Sequence, residues 1–274
     1  MNCKNRGLAI IFSHTEFLGP YNRRVGNALD CDRMESLLTE FGFEVKIYKD
    51  YTKQEIFQTL SEVSNMDHSD NDCLSIVVMS HGDSGTLCSY DDTYTVYELW
   101  SKFTKTNCPS LRGKPKLFFI QACRGDNVDS GINLMCPNKT YFQYQSLSNC
   151  NSTSDTSIFK LNQQELEMFL TPNEPDFLIG YATIAGHCAF IRNKGSWYIE
   201  ELCSIFKKYG RKYDILTLLT FVAQHVALKY ISYSLEKPEI NDKTQIPCII
   251  YTLVKQLYFF PEEAEEVLVD LQLN

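Results

Sequence analysis

A cysteine and a histidine at the ends of two apolar runs carry most of the chemical information in this chain. Cys123 lies in Gln121-Ala122-Cys123-Arg124-Gly125, directly after Lys116-Leu117-Phe118-Phe119-Ile120, which reads as a buried strand. His81 stands 42 positions upstream in Ser80-His81-Gly82, after the apolar run Leu74-Ser75-Ile76-Val77-Val78-Met79. Open α/β sheets place their chemistry just beyond the carboxyl ends of strands. Two such ends would deliver a thiol and an imidazole to one edge, and that pairing activates sulfur as a nucleophile. Gly82 suits the same place, because a side chain there would crowd a substrate carbonyl.

The elements that must position these residues follow from hydrophobic periodicity. Leu8 to Phe12 reads as a strand, and Leu29, Met34, Leu37, Leu38 and Phe41 recur at helical spacing. Phe43 to Tyr48 alternates like a strand, and Ile56, Leu60 and Val63 mark a helix over 53–63. A helix around Val96 to Phe103 separates the two strands that end at His81 and Gln121. The second half predicts a strand over 176–183, helices over 197–208 and 215–229, and a last strand over 247–254. Six strands alternating with five helices imply one mostly parallel sheet covered on both faces. The alternation breaks from Asp126 to Pro175, which holds the polar run Ser148-Asn149-Cys150-Asn151-Ser152-Thr153-Ser154. A loop this long inside a compact domain is usually functional or disordered. A short helix over 161–170 is the one element expected within it.

Composition excludes several classes. A net charge of −8 over 274 residues, with no basic stripe, argues against nucleic acid. No run approaches the ~18 apolar residues of a membrane span, and the first residues are too polar-flanked for a signal peptide. The eleven cysteines are an odd number, and the nearest two, Cys123 and Cys136, are 13 apart. With no CxxC spacing, neither a zinc site nor a thioredoxin-type motif is expected. Most cysteines therefore read as small core residues of a reducing, cytoplasmic compartment. Asn138-Lys139-Thr140 and Asn151-Ser152-Thr153 match the glycosylation pattern, by chance in such a compartment.

The chain resembles the caspases, cysteine proteases that cut after aspartate, and in particular the effector type. The resemblance rests on Ser80-His81-Gly82, on the run from Lys114 to Gly125 and on Asp176-Phe177-Leu178. It continues through Arg192-Asn193, Gly195-Ser196-Trp197, the run from Asp214 to Val222 and Gln245-Ile246-Pro247-Cys248, in order over about residues 7–260. It implies a six-stranded caspase-like sheet and no cofactor or metal. Cys123 would be the nucleophile, His81 the general acid, and the Gly82 and Cys123 N–H groups the oxyanion donors. Arg24, Arg192 and Gln121 would form the pocket for the aspartate side chain, since guanidinium groups bind carboxylate as a fork. Asn193, Trp197 and Phe190 would line the remaining substrate subsites.

The same resemblance divides the chain into a large-subunit region, 1–129, a linker, 130–175, a small-subunit region, 176–260, and an acidic tail, 261–274. It implies a zymogen cut after an aspartate of the linker. Asp155 is the first candidate; Asp129 sits in a better target motif but lies only six residues past Cys123. With no segment ahead of about residue 7, an upstream caspase is the expected activator. Protein substrates with Asp at the cut, a homodimer or a heterodimer with another caspase, and inhibitor-of-apoptosis proteins are the implied partners.

Two departures stand out. Caspases usually carry Tyr-Ser-Trp-Arg before the pocket asparagine; here Ala189 and Ile191 stand at the Tyr and Trp positions of Gly186-His187-Cys188-Ala189-Phe190-Ile191-Arg192-Asn193. Either Phe190 takes their place or the loop shifts by one. The loop Glu236 to Asp242 also lacks the usual aromatic residue, so a preference for Asp at the fourth subsite is open. Three readings follow: an active aspartate-specific endopeptidase of programmed cell death, a regulator or decoy that pairs with an active caspase, and a relative of the same fold with Arg or Lys specificity. Arg24 and Arg192 oppose the third, since they would repel a basic side chain.

Overall fold

In a computed structural model, residues 3–132, 174–234 and 238–260 are described. The Asp155 processing site, the helix expected over 161–170 and the acidic tail lie outside them. Met1–Ser130 and Asn173–Asn274 together build one compact unit; Gly131–Pro172 forms a second, almost all of it outside the described residues.

In chain order the first half runs β1 (Leu8–Ser13), α1 (Asn27–Glu40), β2 (Glu44–Lys49), α2 (Lys53–Ser64) and β3 (Leu74–Met79). Three short strands, β4 (Gly82–Asp83), β5 (Thr86–Cys88) and β6 (Thr93–Thr95), precede α3 (Val96–Trp100) and β7 (Lys116–Gln121). The second half runs β8 (Phe177–Tyr181), β9 (Ile191–Arg192), β10 (Gly195–Ser196), α4 (Trp197–Tyr209), α5 (Ile215–Lys229) and β11 (Cys248–Tyr251). The main sheet has the order β11-β8-β7-β3-β1-β2, parallel except for β11 against β8.

Strands β1, β3, β7 and β8 are buried at every residue. That is why each reads as a mostly apolar run rather than an alternating one: inner strands of a covered parallel sheet lose water on both faces. Alternate side chains serve opposite faces. Ala9 and Ile11 pack with Met34, Leu202, Phe206 and Leu218 beneath α1, α4 and α5. Ile10 and Phe12 pack with Ile56, Leu60, Leu99 and Phe103 beneath α2 and α3. Capping boxes Thr52–Glu55 and Thr95–Glu98 start α2 and α3, satisfying N–H groups that have no partner within the helix.

The helix expected over 96–103 closes earlier, with Ser101–Phe103 tightening into a 3-10 turn. The β4–β6 sheet and the β9–β10 hairpin were not expected. Strands of two or three residues are too short to show a period of two.

Candidate active site

Strands β3 and β7 are neighbours, with Met79 opposite Gln121, and the Ser80 N–H donates to the Gln121 carbonyl at 3.1 Å. Ser80-His81-Gly82 and Ala122-Cys123 therefore leave the sheet side by side. The approach is close enough to require glycine at 82. A Cβ there would stand 2.8 Å from the carbonyl oxygens of Cys123 and Thr86 and 3.1 Å from the Ala122 methyl.

His81 is set by groups from the segment between β1 and α1. Its Nε2 lies 2.7 Å from the Asn22 carbonyl oxygen. A carbonyl only accepts, so Nε2 carries the proton and Nδ1 is left to exchange one. The ring stacks on Tyr21 at 5.4 Å and meets Phe17 at 4.8 Å. Burial pushes the imidazole pKa below its ordinary value, the Asn22 bond opposes this, and the nearby Arg24 charge adds to the lowering. Asn22 was missed by sequence reasoning, and no residue type could have flagged it, because every residue offers a backbone carbonyl.

Cys123 faces the segment after β8. The Ala189 N–H donates to its sulfur at 3.3 Å, and the Ala189 carbonyl oxygen lies 3.7 Å from the same atom. The Cys188 thiol, adjacent in the same segment, donates to the Gly125 carbonyl oxygen at 3.4 Å. The Cys123 pKa falls to about 7. The Cys188 hydrogen bond is the largest cause, burial opposes it, and the Ala189 N–H and the Arg24 charge assist. Cys188 moves the other way, held protonated chiefly by its bond to Cys123. Backbone bonds fix this approach: Arg124 N–H to His187 O at 2.9 Å, Gly186 N–H to Arg124 O at 2.7 Å and Cys188 N–H to Asn127 O at 2.9 Å.

Arg24 is buried at 3% exposure. It donates to the His14 carbonyl at 2.9 Å and to the Asn27 side chain. Desolvation lowers its pKa to about 10, opposed by the negative charges of Asp30 and Cys123, so it keeps its charge at neutral pH. Gln121 is buried, with its Oε1 unpartnered among the described residues. Gln245, also buried, accepts from the Phe190 N–H at 2.7 Å and donates to the Ala182 carbonyl at 2.8 Å.

The other expected pocket residues lie on the hairpin and α4. The Arg192 backbone packs against Gly26, two residues from Arg24. Its guanidinium turns away, pairing with Glu200 at 3.0 Å and lying 5.2 Å over the Tyr230 ring. Asn193 is exposed between β9 and β10. Trp197 is buried between Phe190, at 4.6 Å, and Tyr230, at 5.2 Å, so Phe190 supplies an aromatic face beside it. The Asp129 carbonyl accepts from the Thr244 N–H at 2.8 Å, which ties that expected processing site to the chain before β11. No cluster of His, Cys, Asp or Glu able to hold a metal occurs among the described residues.

A thiol with a lowered pKa and an oriented imidazole at adjacent strand ends define a cysteine hydrolase of the open α/β type. Residues 6–258 match the family model of the caspase domain. Caspase drICE of Drosophila melanogaster is 38% identical over 262 residues, covering 94% of this chain and 71% of its own. Caspase-3 of Mesocricetus auratus is 33% identical over 263 residues, covering 95% and 86%. The crystal structure of caspase-1 from Spodoptera frugiperda superposes with a TM-score of 0.82 at 35% identity, covering 96% of this chain and 93% of that one. The chain belongs to the caspase family and is a cysteine-type endopeptidase.

Proposed function

We propose that this chain is an effector-type, aspartate-specific endopeptidase of apoptosis. The observation that carries the reading is Arg24, a buried cation close enough to act on the Cys123 sulfur in an acidic protein. A short acidic side chain would neutralise it where a basic one would be repelled. The Cys123 thiolate attacks the scissile carbonyl carbon, and the oxyanion gathers at the Gly82 and Cys123 N–H groups, each such donor worth ~3 kcal/mol of barrier. His81 takes the Cys123 thiol proton on Nδ1 and passes it to the departing amine. Water, deprotonated by the same nitrogen, then releases the acyl group from sulfur. Substrate entry requires Ala189 to leave the sulfur, and Arg192 completes the acid pocket once it leaves Glu200.

Activation by an upstream caspase within 130–175, and assembly as a dimer, belong to the same reading. β11 lies on an open edge of the sheet, with Ile250 49% and Tyr251 51% exposed, where a second copy can dock. The nine described cysteines are all free, as the cytoplasm favours, and inhibitor-of-apoptosis proteins are the expected antagonists.

A regulator with little activity is the second reading. It is favoured by the Ala189 backbone on the nucleophile and by the outward turn of Arg192. Burst labelling by an aspartyl-ketone probe, lost in Cys123→Ala, supports the enzyme; no labelling after linker cleavage supports the regulator. A positional peptide library run on wild type and Arg192→Ala tests the acid pocket. Aspartate at the cut position should dominate in wild type and weaken in the variant.

A further inference from the structure

Cys188 neither attacks nor carries a proton in the reaction above, yet it sits beside the segment that bears the nucleophile. Several observations make this more than a neighbouring cysteine. The backbone ladder between 124–127 and 186–188 fixes Cys188 against the segment that directly follows Cys123. The Cys188 thiol donates to the Gly125 carbonyl oxygen at 3.4 Å, and the next residue, Ala189, bonds the Cys123 sulfur through its N–H at 3.3 Å, so the two cysteines share one corner of the site. Among the described residues, Cys31, Cys73, Cys108 and Cys203 lie in the two cores, Cys3 is exposed, and Cys88 stands on the His81 side of the site.

We propose that Cys123 and Cys188 form a peroxide-responsive thiol pair that closes to an intramolecular disulfide and reversibly silences the enzyme. In the first step the Cys123 thiolate attacks one oxygen of hydrogen peroxide. The O–O bond breaks, hydroxide leaves and is protonated to water, and Cys123 becomes a sulfenic acid. In the second step the Cys188 sulfur attacks the Cys123 sulfur. The S–O bond breaks, the Cys188 proton leaves with the hydroxyl as water, and an S–S bond forms. The two thiols lose two electrons and two protons in total, and one peroxide becomes two waters. A dithiol reductant reverses the change by exchange.

The electrostatics order the two steps. While Cys123 is a thiolate, its charge and its hydrogen bond hold Cys188 protonated and unreactive. Conversion of Cys123 to the neutral sulfenic acid removes that restraint, so Cys188 becomes able to ionise when an electrophilic sulfur first stands beside it. The resulting disulfide would tie the nucleophile to the segment that must move for substrate to enter.

The inference rests on Cys123 being a reactive sulfur but not on peptidase activity, because the primary readout is mass. The full-length protein is treated with hydrogen peroxide, capped with iodoacetamide and digested with trypsin. Residues 117–124 and 161–192 are tryptic peptides with one cysteine each, so a linked pair lacking two hydrogens identifies the bond. Expected is that linked pair as the main oxidised product, lost on treatment with dithiothreitol. Activity of the wild type should return to most of its starting value, while Cys188→Ala, scored against its own starting activity, should recover several-fold less as Cys123 proceeds to sulfinic acid. Sulfinic Cys123 without the linked pair in wild type, or equal recovery by both proteins, overturns the proposal. If Cys188→Ala fails to fold, the wild-type mass readout decides alone.

Discussion

Cys188→Ala should raise the pH at which Cys123 becomes reactive. The hydrogen bond from Cys188 is the largest cause of the fall of the Cys123 pKa from 9.0 to about 7. At pH 7 that fall raises the thiolate fraction from about 1% to about 50%, while the lower basicity costs about eightfold in intrinsic nucleophilicity, leaving a net gain of about sixfold. The assay is the rate of iodoacetamide capture of Cys123 between pH 5 and 10, followed on the peptide 117–124. Wild type should show a midpoint near 7; Cys188→Ala should move it toward 9 and slow capture at pH 7 by up to about sixfold. The same pKa enters stability. Because folding lowers it, the thiolate stabilises the native state fully above pH ~9, by about 3 kcal/mol at most, and that contribution is lost as pH falls through about 7. The rise in denaturation midpoint between pH 7 and 9 should therefore shrink in Cys123→Ala. An unmoved capture midpoint in Cys188→Ala would refute the assignment of the shift to the second thiol.

Gly82→Ala should lower kcat/KM by about ten- to a hundredfold, since its methyl group can be accommodated only by shifting the Cys123 or Thr86 backbone, and sub-ångström misplacement of a nucleophile is costly. Arg24→Ala should destabilise the fold by about 3–5 kcal/mol in denaturant unfolding, because it removes a buried cation that acts on buried Asp30. Glu201→Ala should raise KM and lower the unfolding midpoint. That buried carboxylate accepts from Lys229, from His225 at 3.0 Å and from Tyr230 at 2.6 Å, and Tyr230 backs Trp197. Glu200→Gln should lower KM for aspartyl peptides by up to about fivefold with kcat unchanged, because it frees Arg192 from an exposed pair worth at most about 1 kcal/mol.

The parts of this molecule legible in the sequence are those where burial dictates residue type. β1, β3, β7 and β8 lose water on both faces and are apolar at nearly every position, so their carboxyl ends, and with them His81 and Cys123, could be located. The expectation of one mostly parallel six-stranded sheet holds for the same reason. What sequence could not supply is contact made through backbone atoms. The Asn22 carbonyl on His81 and the Ala189 N–H on Cys123 carry no signature of residue type. The direction of Arg192 was equally hidden: its pairing with Glu200 is a choice of rotamer that residue type does not fix.

The two sides of the site are therefore held by forces of different size. Cys123, His81, Gly82 and Arg24 sit on or against buried strand ends, where displacement disturbs close-packed core. The Arg192 guanidinium is held more weakly, by an ion pair whose side chains are 45% and 31% exposed, although the backbone of 186–190 before it is tied down. An exposed pair contributes about 0–1 kcal/mol, whereas a charge-assisted hydrogen bond contributes about 1.5–3 kcal/mol. A substrate carboxylate that reaches Arg24 and draws Arg192 across thus gains more than Arg192 loses by releasing Glu200. The difference favours opening by an acidic side chain and disfavours opening by a neutral one. On this account selectivity for aspartate resides in the exchange of one carboxylate for another, with the catalytic edge of the sheet fixed throughout.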